Sequence, residues 1–302
     1  MFSRFISAVV TRSLFILVSL LAVWRVVGVT GNKLYYLLTI LYLPLVVEMV
    51  LTLKKRHGSD YKWFSPAVFF FLVSIIPSIW ILELHYHSHL SESQKCLHLD
   101  SADDFKSFID IGANATTNTT STRKIIKRYL SLVCNKDWTL ALHQIMIILL
   151  ILGKWLLPAA GELNRDRLSQ LLLVFVGTAA DILEFVAETL GDIQDSSLTM
   201  VCIILSVWTW SMLQFPLHLS VIGVSEEENN DESRSRFSHN FSEIWSTLEA
   251  LFIQDGPFLV VRLSVMFHFK LVHQMLIFFA IKNFLVVILN VYRFYILFSK
   301  TT

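Results

Sequence analysis

Long apolar runs, separated by short polar stretches, recur from one end of the chain to the other. Crossing roughly 30 Å of hydrocarbon takes about 20 apolar residues in a helix. Runs near that length occupy residues 8–29, 34–53, 66–84, 138–157, 168–190, 198–222, 257–281 and 284–299. Backbone groups inside a bilayer must be satisfied within the segment, so runs of this kind are read as helices. The expected fold class is all-α, a polytopic helical membrane protein of about eight spans in one transmembrane domain covering residues 1–302. In the first run Arg12 and Arg25 lie near the ends, where long side chains snorkel to the headgroups. Arg25 and the missing small-residue cleavage site argue for an uncleaved span rather than a signal peptide. The last two runs are expected to join through a tight turn at Lys282 and Asn283. The alternative is one long span from about Met275 onward, with Phe258–Val272 at the interface.

Loop charge sets the orientation. Lys54, Lys55, Arg56 and Lys62 crowd one short connection and place it in the cytosol. Alternation then makes 85–137 an extracellular or lumenal loop and 223–243 a cytosolic one, with both termini inside. The outer loop carries Asn114-Ala-Thr and Asn118-Thr-Thr, N-glycosylation acceptors that suit that side. Asn240-Phe-Ser falls in the cytosol and should stay bare. Arg123, Lys124, Lys127 and Arg128 run against this orientation, but long loops translocate largely regardless of charge. Cys96 and Cys134 share the outer loop in an oxidising compartment, and a disulfide between them is expected; the alternative is two free thiols. Such a bridge is worth about 3–4 kcal/mol in the chain-entropy model.

Composition agrees with the pattern. Hydrophobic residues make up 54% and charged residues 16% of the chain, against about 45–50% and 25% in soluble domains. A net charge of +1 gives no global field that would draw nucleic acid. Membrane lipids are the expected partners, in the plasma membrane or the secretory pathway. A protein partner could engage the outer loop or the polar segment Ser225–Asn240.

The chemistry worth weighing lies inside the spans. Asp181, Glu184 and Glu188 follow i, i+3, i+7 spacing, with Gly177 one turn earlier, so all four share a helical stripe. Each mid-membrane carboxylate costs about 2.5–3.5 kcal/mol on the insertion scale, so the stripe should turn inward. Depth, at 1.5 Å per residue, brings Lys270 and His273 level with Asp181 and Glu184. Arg262 completes this intramembrane polar cluster, and Glu48, Lys154 and Arg262 form a shallower group. Such a stripe serves either a proton or cation path or a neutralised structural cluster that fixes helix register.

His85, His87 and His89, with Cys96 and His98 beyond, have spacing that suits zinc or copper, yet alternating histidines also occur in plain interfacial loops. No metal is assigned. Asp255-Gly-Pro257 reads as a turn opening a helix, and Trp208-Thr-Trp210 as packing. Phosphate loops, His-Glu-x-x-His and nucleophile elbows are absent, so neither an enzyme nor a cofactor is expected.

Four strings carry a resemblance: Tyr61-Lys-Trp-Phe-Ser-Pro-Ala67, Gln170-Leu-Leu-Leu-Val-Phe-Val-Gly-Thr-Ala-Ala-Asp-Ile-Leu-Glu-Phe185, Trp208-Thr-Trp-Ser-Met-Leu-Gln-Phe-Pro-Leu217 and Phe252-Ile-Gln-Asp-Gly-Pro-Phe-Leu-Val-Val-Arg-Leu263. In these the chain resembles the transmembrane protein 26 family over nearly its whole length. The resemblance implies a multi-pass membrane protein with eight spans, and no reaction, substrate or cofactor. Two roles stay open: a transporter or channel using the acidic stripe, or a non-transporting scaffold or surface interaction protein.

Overall fold

The computed structural model describes residues 2–56, 64–88, 135–156, 165–193, 197–217, 244–245, 247–270 and 274–301. Eight α-helices account for most of them: α1 (Phe2–Thr30), α2 (Leu43–Arg56), α3 (Pro66–Ser88), α4 (Asn135–Leu156), α5 (Arg165–Ile193), α6 (Leu198–Met212), α7 (Gly256–Phe269) and α8 (Gln274–Thr301). A 3₁₀ helix, Lys33–Tyr42, leads into α2, and a π-helical turn, Ala250–Asp255, leads into α7. The all-α expectation holds. Among the described residues, six helical stretches are long and apolar enough to cross a membrane.

Helix α3 is the hub, packed against α1, the 3₁₀ helix, α2, α4 and α6. Of its span 56% is buried, against 17% for the span in α8. Small residues let the hub's neighbours approach, which is how helices associate where lipid supplies no hydrophobic contrast. Ser19 and Ser74 share a hydrogen bond of 2.9 Å between α1 and α3. Phe15 stacks on Phe71 with centroids 4.3 Å apart. A Cβ on Gly153 would lie 2.8 Å from Phe15 Cζ, so only glycine lets α4 close on that pair. Trp80 Nε1 donates to Thr209 Oγ1 at 2.9 Å and ties α3 to α6.

The turn after α1 needs a left-handed residue, supplied by Gly31 at φ +68°. Asn32 then caps the 3₁₀ helix, its side chain accepting from the Leu34 N–H at 3.0 Å. Ten residues is long for 3₁₀ geometry, which usually lasts three or four. Tyr42 fastens its far end by donating from its hydroxyl to Ser19 O at 2.9 Å.

Three boundaries differ from expectation. The run from Leu198 leaves the helix at Met212 rather than at residue 222. Pro216 cannot donate and disfavours helix just before it. Leu213 and Phe215 therefore close with i−3 bonds of 3.1 Å, and Ser65 N–H donates to Pro216 O at 2.7 Å. The break between the last two spans lies at Lys270, in a left-handed conformation at φ 52°. Lys282 and Asn283 are interior to α8, because both turn inward instead of marking a loop. Finally, Asp255-Gly-Pro257 opens α7 as expected, with Asp255 at the N-cap position and Pro257 in the first turn, but helix rather than a loop turn precedes it. Asp255 is already helical and makes no side-chain cap, and the π turn runs straight into α7.

Candidate intramembrane ion-pair site

Helix α5 presents Asp181, Glu184 and Glu188 on one stripe, and α7 and α8 answer with one cation each. Arg262 of α7 donates from Nη2 to Glu184 Oε1 at 2.9 Å and lies 3.6 Å from Glu188 Oε2. Its Nη1 donates to the backbone oxygen of Phe279 at 3.3 Å, so one guanidinium joins α5, α7 and α8. Phe279 and Phe185 rings flank it at 5.1 and 5.8 Å, a cation–π setting. Phe185 in turn stacks on Phe258 at 4.0 Å and locks α5 to α7. Arg262 is 1% exposed.

Lys282 of α8 meets Asp181 Oδ1 at 2.5 Å and lies 3.6 Å from Glu184 Oε2. This pair is more open: Lys282 is 31% and Asp181 36% exposed. Asp255 belongs to the same group. Asn290 Nδ2 donates to its Oδ2 at 3.1 Å, and Asp181 and Lys282 are its charged neighbours. The π turn accounts for the placement, since one extra residue per turn re-aims the side chains that follow. Gly256 permits it: a Cβ there would lie 2.6 Å from Leu251 O. Asp181, Glu184, Glu188 and Asp255 thus gather around Arg262 and Lys282, and carboxylates outnumber cations among the described residues of the group.

The expected cluster is assembled only in part. Asp181, Glu184, Glu188 and Arg262 come together. Lys270 does not join them: it ends α7 and is exposed, and Lys282 takes the place beside Asp181 that depth arithmetic had given it. His273 lies outside the described residues. Gly177 faces open space. Glu48, Lys154 and Arg262 form no group. Glu48 receives Arg12 Nε and Nη2, both at 2.8 Å, together with Thr52 Oγ1 at 2.7 Å. Arg12 is fully buried there and does not snorkel. Arg25 is also buried, its guanidinium 5.2 Å from the Trp138 ring. Lys154 donates to Leu217 O at 3.4 Å beside the Phe175 ring.

Asn114, Asn118, Cys96, Cys134, His89, His98 and Asn240 all lie outside the described residues. His85 and His87 end α3. No group of three metal-ligating side chains occurs among the described residues.

A family model described as Transmembrane protein 26 matches residues 2–293. The chain belongs to the transmembrane protein 26 family. No solved structure matches it. Family membership and the apolar helices make this an integral membrane protein, and the matched range contains the whole ion-pair site. Two of the site's members escaped the sequence reading. Lys282 looked like the polar hinge of a turn, and Asp255 looked like a cap. The available signal was α8 itself: Phe279, Lys282, Asn283 and Asn290 recur at helical spacing, so a helix drawn through them puts a polar seam on one side.

Proposed function

We propose that this is a multi-pass membrane protein that passes a small cation, a proton or a monovalent metal ion, along the acidic face of α5. The observation that carries the reading is the carboxylate excess joined to partial exposure at Asp181 and Lys282. An intramembrane carboxylate that its neighbouring helices leave partly uncovered is, where water reaches it, a cation site by its chemistry. Lys282 occupies that site from within. A cation arriving at Asp181 competes with the ammonium, which has Glu184 Oε2 at 3.6 Å as its next partner. Arg262, braced on three helices, holds the stripe in register while that exchange proceeds. No catalysis or cofactor enters this reading.

A second reading, a non-transporting scaffold or surface interaction protein, is favoured by Arg262 itself, whose buried contacts clamp α5, α7 and α8. Proteoliposomes carrying the full chain separate the two. Wild-type protein should collapse an imposed proton or monovalent-cation gradient, and Asp181→Asn should abolish that flux while eluting as a folded, monodisperse protein. Unchanged flux in Asp181→Asn removes Asp181 from the path, and a wild-type protein that moves no cation leaves the scaffold.

The proposed topology puts 85–137 outside, with glycan on Asn114 or Asn118, a Cys96–Cys134 disulfide, and 223–243 in the cytosol. Glycosidase shifts on single Asn→Gln variants test it. Asn114→Gln or Asn118→Gln should remove a shift and Asn240→Gln should not. A glycan on Asn240 reverses the orientation of the second half.

A further inference from the structure

A different buried polar group lies where α3, α4 and α6 meet, away from the acidic stripe. Glu83 of α3 approaches His143 of α4, with Oε1 3.9 Å from Nδ1. His143 packs edge-on against Trp208 of α6, ring centroids 4.8 Å apart. His143 and Trp208 are closed to solvent. The tautomer follows from one contact. His143 Nδ1 lies 2.9 Å from the backbone oxygen of Thr139, and a carbonyl oxygen can only accept, so Nδ1 carries the hydrogen. In the neutral ring Nε2 is then a bare acceptor. Trp208 Nε1–H is a donor and nothing else. Neither atom has a hydrogen-bond partner among the described residues.

The two orphans are of opposite sense and sit in touching rings. A buried donor or acceptor left unsatisfied incurs its full desolvation penalty, which proteins rarely leave standing. A group that both accepts and donates would satisfy the two at once, and water is the smallest such molecule. We propose that a single water molecule is held between α4 and α6, accepting from Trp208 Nε1–H and donating to His143 Nε2. The water completes a chain from Thr139 O through the imidazole to the indole, and so joins α4 to α6 by hydrogen bonds. Glu83 flanks the imidazole on its Nδ1 side and favours the tautomer that points Nε2 at the water.

Proton-detected solid-state NMR on the full-length ¹⁵N-labelled protein in lipid bilayers tests this directly. The Trp208 indole N–H should show a cross-peak to a bound water, and His143 should report a hydrogen on Nδ1 and none on Nε2. In His143→Phe the Trp208 water cross-peak should be lost. Should that variant fail to fold, His143→Asn, which keeps a polar group of smaller reach, should shift or weaken it. A Trp208 N–H without a water cross-peak overturns the proposal. So does an imidazole carrying hydrogens on both nitrogens, because its Nε2 would then be a donor.

Discussion

Two ion-pair regions among the described helices are built on opposite plans. Arg12 and Glu48 form a closed unit: a bidentate pair, both residues buried, with Thr52 adding a further donor to the carboxylate. One charge meets one charge, and the planar guanidinium fork fits the carboxylate. Among the described residues the α5–α7–α8 site has more carboxylates than cations, grades from a buried arginine to a lysine that is 31% exposed, and spreads each cation over two carboxylates. A closed pair can only be kept or broken. A graded, acid-rich site can exchange one of its cations and keep its frame, because Arg262 holds the helices while Lys282 is the group with somewhere else to go.

The largest expected effect tests the closed pair. Arg12→Leu strands Glu48 in the core and should cost about 3–5 kcal/mol, read as a loss of folded protein in a thermal-unfolding assay in detergent. The double variant Arg12→Leu/Glu48→Leu should recover most of that loss, since an apolar replacement of a buried pair is often near neutral. A double variant as damaged as the single one would mean that the pair holds more than itself in place.

A middle-sized effect tests the frame of the open site. Gly256→Ala drives a methyl against Leu251 O and should cost about 1–3 kcal/mol by overpacking. Gly177→Ala, with open space around it, should be neutral or slightly stabilising. Equal effects at both glycines would remove the special standing of the π turn.

Lys282→Met sharpens the contrast most finely. Its pair with Asp181 is about a third uncovered by the helices, so if water fills that opening, as the cation-path reading requires, screening should hold the stability change to about 1 kcal/mol or less. A loss as large as that of Arg12→Leu would make the two regions alike and close the site to exchange.

How much of this was legible depended on whether a signal was local. The apolar runs and the acidic stripe on α5 follow from spacing within one helix, whereas the membership of Arg262 rests on a cross-helix contact. The Arg12–Glu48 pair joins two different runs and carries no signal within either one. Lys282 and Asp255 were misplaced because a polar pair between apolar runs, and an Asp-Gly-Pro string, are ordinary turn signals. For Lys282 the helical spacing of the polar residues in α8 outweighs that signal; for Asp255 only the partner helices decide. The break after Phe269 matches the alternative of one long span from about Met275 onward, although Phe269, Lys270 and Leu271 are neither turn formers nor helix breakers. Hydropathy alone runs past the end of α6, whereas the backbone constraint of Pro216 stops the helix at Met212.

The separation of partners along the chain has a consequence for biosynthesis. Arg12 and Glu48 are 36 residues apart, so this pair is complete soon after the first hairpin leaves the ribosome. Asp181 and Lys282 are 101 residues apart. At about 5–20 residues per second, α5 waits roughly 5–20 s for the cation it will face. Throughout that interval its carboxylates must be held by water, by protons or by the insertion machinery. The acid-rich helix that gives the site its chemistry is therefore also the step at which a nascent chain is most exposed to quality control, and variants that weaken α7 or α8 should be sensed there first, as α5 left without its partners.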